Sequence, residues 1–337
     1  MKVLITGGTG YIGSHTAVEL QHAGYEVVII DNLENSERTV IDSIEKITGK
    51  HPHFEFIDVR DKKSLESLFE IYPDISSVIH FAAYKAVGES VKYPLKYYEN
   101  NIGGLLNLLE VMEKRQIQNF VFSSSCTVYG EVSKMPVTED SPVVKAMSPY
   151  GNTKKVCEEI LQDQSVASNL KVVSLRYFNP VGAHDSGLIG DQDPNNLVPF
   201  VTQTAIGKRN VLTVFGNDYP TPDGTCIRDY IHVVDLAKAH VKAIEYLKHG
   251  KQKEDFSVFN IGTGNGNSVL EVIHSFEKIS REKLNYKIGE RRSGDVTQIF
   301  SSCEKAEKEL GWKAERDLDN CMETAWKWEK NLKDVTM

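Results

Sequence analysis

A tyrosine and a lysine four residues apart, Tyr150 and Lys154, are the strongest candidates for proton-transfer chemistry in this chain. Residues at that spacing share one face of a helix. A free tyrosine ionises near pH 10, and a neighbouring ammonium group that favours the phenolate would make it a usable acid or base. Ser125, or Ser124 beside it, ends a strand-like run upstream and can offer a hydroxyl to the same substrate oxygen. We therefore predict Ser125, Tyr150 and Lys154 as the catalytic group.

A glycine-rich loop near the start of the chain provides the context for these residues. The segment Thr6 to Gly13 reads T-G-G-T-G-Y-I-G, follows an apolar run and precedes a helical pattern that begins at Tyr11. Glycines let the backbone turn tightly and approach a pyrophosphate, and a helix N-terminus attracts phosphate. Asp31 lies 18 residues after Gly13, near the spacing typical of the acid that holds an adenosine ribose. A carboxylate there repels a 2′-phosphate, so the pattern predicts NAD rather than NADP.

The composition of the chain limits the partners and the kinds of site that it can have. The chain has 337 residues, 40% of them hydrophobic, and a formal net charge of −8. That charge argues against nucleic acid or an anionic membrane as the main partner. The five cysteines are scattered without a C-x-x-C pair, which predicts a reduced compartment, no disulfide framework and no metal site. We see no stretch of transmembrane length and no room for a signal peptide before the first strand, and we expect a cytoplasmic protein.

Strand-like and helical runs alternate through the first half of the chain, which predicts an α/β fold with a Rossmann-type, doubly wound parallel sheet. The predicted strands are Val3–Thr6, Val27–Ile30, Phe54–Asp58, Ser77–His80, Phe120–Ser123 and Val172–Tyr177, and the predicted helices include Lys62–Ile71, Leu95–Arg115 and Lys154–Ala167. From about residue 179 turn-forming residues become frequent. We predict a nucleotide-binding domain over residues 1–178, with segments near 229–262 returning to it, and a smaller α/β substrate domain over residues 179–337.

Longer motifs make the chain similar to a known family. They are T-G-G-T-G-Y-I-G-S-H from Thr6, F-S-S-S-C-T-V-Y-G from Phe122, S-P-Y-G-N-T-K from Ser148, L-R-Y-F-N-P-V-G-A-H from Leu175 and R-D-Y-I-H-V-V-D-L-A from Arg228. With these the chain resembles the extended short-chain dehydrogenase/reductase family and, within it, the UDP-galactose 4-epimerases. The resemblance runs from Lys2 to about Trp328, and the motifs of the second half are the more specific ones.

The resemblance implies roles for many residues. Besides the catalytic group, it implies NAD contacts by Gly7, Gly10, Tyr11, Ile12, Gly13, Asp31, Asn32, Leu33, Asn35, Ser36, Asp58, Val59, Phe81, Ala82, Ala83, Lys85, Asn100 and Phe178. Besides Ser125 and Tyr150, it implies UDP-sugar contacts by Asn179, Asn196, Leu197, Thr213, Phe215, Arg228, Arg292, Asp295 and Ile299. Ile299 takes the position beside the sugar C2 group, where a tyrosine blocks an N-acetyl substituent and a small residue admits it.

The resemblance also implies an activity, the interconversion of UDP-glucose and UDP-galactose. In the implied cycle Tyr150 removes the proton of the sugar C4 hydroxyl while hydride passes to a tightly held NAD. The 4-keto sugar then turns on its diphosphate, and hydride returns to the other face. The family pairs the helices around Leu95–Arg115 and Lys154–Ala167 with those of a second subunit, which implies a homodimer.

Other functions compete with this one. A nucleotide-sugar 4,6-dehydratase carries an Asp-Glu pair after its catalytic hydroxyl residue, and this chain has Cys126 and Thr127 there instead. An epimerase of N-acetylated sugars or uronates would differ only in sugar choice, and a reductase would need NAD that exchanges freely. A binding protein that senses NAD would have no need of the catalytic group.

Overall fold

A computed structural model describes residues 1–132, 134–292 and 295–335 of the chain. Its strands are β1 (Lys2–Thr6), β2 (Glu26–Asp31), β3 (His53–Phe56), β4 (Ile75–His80), β5 (Asn119–Ser125), β6 (Lys171–Tyr177), β7 (Asn179–Val181), β8 (Leu212–Phe215), β9 (Ile227–Arg228), β10 (Tyr230–His232), β11 (Phe256–Ile261), β12 (Asn267–Ser268), β13 (Tyr286–Gly289) and β14 (Gln298–Ile299). Seven of them form one sheet in the order β11-β6-β5-β4-β1-β2-β3. Every neighbouring pair in that sheet is parallel.

Helices cover this sheet and connect its strands. They are α1 (Tyr11–His22), α2 (Thr39–Thr48), α3 (Lys62–Ile71), α4 (Val87–Lys92), α5 (Pro94–Tyr98), α6 (Gly104–Lys114), α7 (Pro149–Ala167), α8 (Leu197–Ala205), α9 (Val233–Lys248), α10 (Val269–Ser280) and α11 (Leu318–Val335). A 3₁₀ turn spans Cys126–Tyr129, and π-helical turns span Glu99–Gly103 and Ala306–Leu310.

The strand order explains where a ligand can bind. The chain steps outward from β1 to β3 and then returns to the other side of β1 with β4. Connections on the two sides of this reversal diverge and leave a crevice at the carboxyl ends of the strands. The doubly wound parallel sheet predicted from the sequence is confirmed.

Alternation along the strands sends apolar side chains to both faces of the sheet. Val3 and Ile5 belong to one buried cluster, whereas Leu4 belongs to the cluster on the opposite face. Both faces are covered by helices, as a parallel sheet requires. A third cluster gathers residues of the second half, among them Val201, Phe276 and Met322.

The second half adds three small sheets, β10-β7, β12-β9-β14 and β13-β8. Strand β11, by contrast, pairs with β6 at the edge of the main sheet. Within the described ranges, no helix is long and apolar enough to cross a membrane.

Some predicted element boundaries were wrong. The strand predicted over Phe54–Asp58 ends at Phe56, because Asp58 turns toward Asn32 and Arg60. The helix predicted over Leu95–Arg115 is divided by the π-helical turn Glu99–Gly103. Helix α7 begins at Pro149, so it includes Tyr150 together with the helical run predicted over Lys154–Ala167, and Ser148 caps its first turn by accepting a hydrogen bond from the Gly151 amide.

Candidate active site

One cleft of about 990 Å³ runs along the carboxyl edge of the sheet and on into the second half of the chain. Most of the predicted cofactor and catalytic residues line it: Gly7, Gly10, Tyr11, Ile12, Gly13, Asp31, Asn32, Asn35, Ser36, Val59, Phe81, Ala82, Ala83, Lys85, Asn100, Ser125, Tyr150, Lys154 and Phe178. Predicted substrate residues on its wall are Asn179, Asn196, Arg228, Arg292, Asp295 and Ile299. The predicted cofactor residues and the predicted substrate residues therefore line the same cleft.

The glycine loop after β1 is shaped for close approach. Gly7 has a φ of +69°, and a Cβ there would lie 2.7 Å from the Ala82 nitrogen. A Cβ on Gly13 would lie 2.3 Å from the Gly7 carbonyl oxygen. Gly10 occupies the N-cap of α1, and no side chain caps this helix. Amide hydrogens at the start of α1 are therefore left for an anion, which fits the pyrophosphate of a dinucleotide.

Asp31, at the end of β2, is held by its own loop. Its carboxylate accepts hydrogen bonds from the Thr9 amide at 3.2 Å and the Leu33 amide at 2.9 Å. The Ser36 hydroxyl lies 2.7 Å from that of Thr9. These bonds fix the carboxylate at the mouth of the glycine loop, where the ribose of a dinucleotide would lie.

Leu33 and Asp58 stand behind this loop rather than on the cleft wall. Asp58 accepts a hydrogen bond from Asn32 at 3.0 Å and forms an ion pair with Arg60 at 2.6 Å. The hydrogen bond from Arg60 holds the pKa of Asp58 well below its ordinary value. Asp58 is thus a carboxylate that orients Asn32, which does line the cleft.

The loop after β4 is tied to α7 through the π-helical turn. Asn101 accepts a hydrogen bond from the Tyr84 amide at 2.9 Å and donates to the Thr153 hydroxyl at 3.0 Å. Lys85 pairs with the buried carboxylate of Asp191 at 3.3 Å. The loop therefore reaches across the cleft and contacts the second half of the chain.

The three catalytic candidates meet at the ends of β5 and α7. The Lys154 ammonium donates to the Ser123 carbonyl at 2.6 Å. The Ser125 hydroxyl accepts a hydrogen bond from the Thr127 hydroxyl at 3.0 Å and lies close enough to Tyr150 to favour its phenolate. The Ser124 hydroxyl instead donates to Glu158 at 2.6 Å. Of the two serines that the sequence left open, Ser125 is the one beside the tyrosine.

Burial dominates the electrostatics of this group. It raises the pKa of Tyr150 to about 12, although the nearby Ser125 hydroxyl acts in the opposite direction. Burial also lowers the pKa of Lys154 to about 8. Desolvation of the phenolate is thus the effect that the Lys154 ammonium, together with the positive ring of a bound nicotinamide, would have to offset to lower the pKa of Tyr150.

An internal ion pair supports these residues from behind. The Arg176 guanidinium of β6 contacts Glu158 of α7 at 2.7 Å, and both side chains are buried. Ser174 also donates to Glu158, at 2.8 Å. These contacts tie β5, β6 and α7 together one helical turn below Lys154.

Charged side chains gather at the substrate end of the cleft. Arg292 donates to Asp295 at 2.7 Å, and an Arg228 nitrogen lies 3.9 Å from the same carboxylate. Arg228 is also the register partner of Ile299 in the parallel pair β9-β14. Ser293 and Gly294, which stand between Arg292 and Asp295 in the chain, lie outside the described residues. Arg228 and the apolar Ile299 thus share a small sheet, and Arg292 is joined to Arg228 through Asp295.

Three predicted substrate residues do not line the cleft. Leu197 begins α8 directly after Asn196. Phe215 ends β8, with the Arg292 guanidinium 5.7 Å from its ring, so it contacts the cleft through that arginine. Thr213 pairs with Lys287 between β8 and β13, where its methyl group packs against Gly289.

Sequence reasoning missed several residues of the wall, including Tyr177, Asp191 and Gln192. Tyr177 ends β6 directly before Phe178, so its place at a strand end was a signal in the sequence. Its hydroxyl contacts His240 at 2.5 Å. Asp191 had no such signal, because its partner Lys85 is 106 residues away in the chain.

Comparisons with known proteins agree with this geometry. The model of the NAD dependent epimerase/dehydratase family matches residues 3–262. The UDP-glucose 4-epimerase of Dictyostelium discoideum is 53% identical over 97% of this chain and 95% of its own.

Solved structures of UDP-glucose 4-epimerases are also similar to this chain. The UDP-glucose-4-epimerase of Stenotrophomonas maltophila, with bound NAD and formylated UDP-arabinopyranose, is 46% identical, covers 99% of each chain and has a TM-score of 0.96. The UDP-glucose 4-epimerase of Bifidobacterium longum, in complex with NAD+ and UDP, is also 46% identical, covers 99% of each chain and has a TM-score of 0.94. The resemblance seen in the sequence is confirmed, and the chain belongs to the NAD dependent epimerase/dehydratase family.

Proposed function

We propose that this protein interconverts UDP-glucose and UDP-galactose, with Tyr150 as acid and base and NAD retained in the site. One observation carries the proposal: a tyrosine, serine and lysine group opens into the same cleft as the two arginines at its far end. The similarity to UDP-glucose 4-epimerases over nearly the whole chain supports it.

The cofactor wall fits a bound dinucleotide. The glycines at positions 7, 10 and 13 and the uncapped start of α1 would hold the pyrophosphate, and Asp31 would hold the adenosine ribose. Lys154, Asn100 and Phe178 lie on the wall beyond the loop and would face the nicotinamide end. NAD supplies, when bound, a hydride acceptor and donor together with a positive ring charge.

Tyr150 would take and return the proton of the sugar C4 hydroxyl. Ser125 lines the same cleft and can share the same substrate oxygen and hold it in line. Lys154 is fixed by the Ser123 carbonyl and lies one turn along α7 from Tyr150. Because the pKa of Tyr150 is about 12 in the protein alone, phenolate formation needs additional positive charge in the cleft.

The residues at the far end of the cleft would bind the nucleotide part of the substrate and leave the sugar free to turn. A planar guanidinium suits the paired oxygens of a diphosphate, and Arg228 and Arg292 are the candidates. Their carboxylate partner Asp295 keeps both in place. Asn179, at the start of β7, lies on the same wall.

Sugar choice is the point at which a second function competes. Ile299 is buried and packs with Cys126 and Phe178 in one apolar cluster. It is smaller than tyrosine, and its branching makes it stiff. We propose a dominant activity on UDP-glucose and UDP-galactose, with slower turnover of UDP-N-acetylglucosamine.

We also propose a homodimer and a two-domain organisation. Large apolar residues are exposed on α4 to α7, with Leu95 at 80% and Val166 at 84% exposure. A two-fold interface would cover them. The separate apolar cluster of the second half supports a smaller domain over residues 179–337 beside the cofactor domain over residues 1–178. Light scattering at micromolar concentration tests the dimer, which a monomer mass would contradict.

The activity is tested on purified protein with no added cofactor. UDP-glucose and UDP-N-acetylglucosamine are supplied in parallel, products are separated, and the nicotinamide released on denaturation is measured by absorbance. We expect NAD to co-purify and UDP-glucose to be converted faster. Absence of turnover with NAD bound would favour an NAD-sensing protein, and activity that depends on freely exchanging NAD would favour a reductase.

A further inference from the structure

A buried carboxylate outside the cleft wall connects the groups that would hold the substrate. Asp229 lies between β9 and β10 with a fully buried side chain. One carboxylate oxygen accepts from the Thr263 amide at 2.8 Å and the Thr263 hydroxyl at 2.7 Å. The other accepts from the Ser301 amide at 3.1 Å and the Ser301 hydroxyl at 2.6 Å. The Gly264 amide donates to the second oxygen at 3.2 Å.

Asp229 joins three segments that carry proposed substrate residues, while its bonds to Thr263 and Gly264 anchor it to the loop after β11. Arg228 precedes Asp229 in the chain, and Ser301 follows Ile299 by two residues. Arg228 and Ile299 are register partners in β9-β14, so the bond from Asp229 to Ser301 continues that pairing beyond the strand ends. The Asn179 amide donates to the Asp229 carbonyl at 2.9 Å. The segments that carry Arg228, Ile299 and Asn179 are therefore all joined through Asp229.

The space around this carboxylate leaves it little freedom. A Cβ on Gly262 would lie 2.4 Å from the nearer Asp229 oxygen and 2.3 Å from the Ser301 hydroxyl. Both carboxylate oxygens face N–H or O–H donors, so an amide in place of the carboxylate would direct an NH₂ group at one set of them. Hydrogen bonds to a carboxylate are also stronger than those to a neutral acceptor. The position therefore requires a carboxylate, and a change there must move the segment that carries Ile299.

We propose that Asp229 is a positioning residue that fixes the separation between Arg228 and Ile299, and so couples binding of the UDP diphosphate to discrimination at the sugar C2 group. The proposal rests on the proposed UDP-sugar activity. It explains why a fully buried acid accepts five hydrogen bonds from two distant segments without touching the cleft itself.

The chain offers a matched control, Asp235. This residue is also a buried aspartate, and it accepts hydrogen bonds from the Glu315 amide at 2.9 Å and the Arg316 amide at 2.8 Å. It holds a segment between α9 and α11 rather than one of the β9-β14 pair. Loss of either carboxylate should destabilise the fold, whereas the proposal makes only Asp229 matter for the substrate.

The test compares Asp229→Asn, Ser301→Ala and Thr263→Val with Asp235→Asn in NAD-loaded enzyme. The measurements are the Kd of UDP by calorimetry, kcat and KM for UDP-glucose and UDP-N-acetylglucosamine, NAD content and melting temperature. For Asp229→Asn we expect normal NAD content, a UDP Kd raised about tenfold and a ratio of the two kcat/KM values changed by more than about threefold. Ser301→Ala should shift both in the same direction by less, because its amide still donates.

Unchanged UDP affinity and sugar ratio in the folded variants, or equal changes in Asp235→Asn, would overturn the proposal. If Asp229→Asn does not fold, Ser301→Ala and Thr263→Val decide it by the same criteria. Failure of the native protein to bind UDP or turn over UDP-glucose would overturn the proposed function. Native activity with unaffected variants would overturn only the role of Asp229.

Discussion

The two walls of the cleft are held together in different ways. The cofactor wall, made of the loops after β1, β2 and β4 with Tyr150 and Lys154, combines short-range contacts, such as the bond that the Leu33 amide donates to Asp31, with longer ones, such as that from Lys85 to Asp191. The substrate wall, made of Asn179, Arg228, Asp295 and Ile299, depends on pairings between distant segments, such as β9 with β14. Substitutions should therefore separate chemistry and cofactor retention from substrate choice.

The largest effect is expected at Tyr150. Tyr150→Phe removes the proton acceptor but keeps the ring, so we expect turnover of UDP-glucose to fall by at least roughly a hundredfold, within the range for losing a general base. NAD content and melting temperature should stay near those of the native protein. Lys154→Ala is the comparison variant and should lose turnover and also NAD. Nearly normal turnover by Tyr150→Phe would remove this residue from its proposed role.

The next effect concerns cofactor retention. In Gly13→Ala the new Cβ would lie 2.3 Å from the Gly7 carbonyl oxygen and 2.8 Å from the Gly8 Cα. Backbone cannot yield as a flexible side chain can, so the loop must shift, and we expect the NAD that co-purifies to fall about tenfold. The measurement is nicotinamide absorbance after denaturation.

Gly103→Ala is the control for the glycine loop, because a Cβ there meets nothing within 4 Å. It should retain its NAD. A full NAD complement in Gly13→Ala would show that close approach of the backbone does not hold the cofactor.

A smaller effect, confined to sugar choice, is expected at Ile299. Ile299→Tyr would place a larger ring on the wall next to Phe178, so we expect turnover of UDP-N-acetylglucosamine to be lost and turnover of UDP-glucose to be spared. NAD content should not change. Ile299→Leu, which conserves volume, should keep both activities. An unchanged ratio in Ile299→Tyr would show that this residue does not line the sugar pocket.

The smallest effect at neutral pH concerns His15, which lies in α1 beneath the glycine loop. Burial lowers its pKa to about 3, whereas an unfolded histidine titrates near 6.5. The unfolded state then binds the extra proton, so stability is full above pH 6.5 and falls as the pH drops toward 3. His15→Gln should reduce the slope of unfolding free energy against pH by at most about 1.4 kcal/mol per pH unit.

Denaturant unfolding at several pH values between neutral and mildly acidic would measure that slope. The exposed His249 provides the control for the substitution itself, because His249→Gln leaves the buried site of His15 intact. Activity at neutral pH should be the same in both variants. An identical slope in His15→Gln would contradict the role of burial.

The contrast between the walls also explains what could be predicted from the sequence. Glycine spacing, strand ends and the four-residue step from Tyr150 to Lys154 are local patterns, and they predicted the glycine loop, Asp31 and the catalytic group, whereas the family resemblance supplied most of the other cofactor contacts. Asp229 could not be found in this way, because its partner Ser301 lies 72 residues along the chain. Family resemblance identified Arg228 and Ile299, but only the register of β9-β14 shows that they are neighbours.

The errors in the predicted elements have a similar cause. Periodicity predicted a continuous helix over Leu95–Arg115, but side-chain bonds from Asn101 to residues outside the helix favour a π-helical turn. The end of β3 was placed two residues late because Ile57 and Asp58 continue the apolar and acidic pattern of a strand end. Hydrogen bonds to other segments decided both boundaries.

The π-helical turn Glu99–Gly103 sets the rotational phase between α5 and α6. Asn101 must face Tyr84 and Thr153, while α6 must bury Leu105 and Leu108 in the core. Successive residues of an α-helix are rotated by about 100°, so deleting one residue from the turn would swing the apolar face of α6 toward solvent. Outside Asn100 and Asn101, this stretch of the chain should therefore accept changes of side chain far more readily than a change of length.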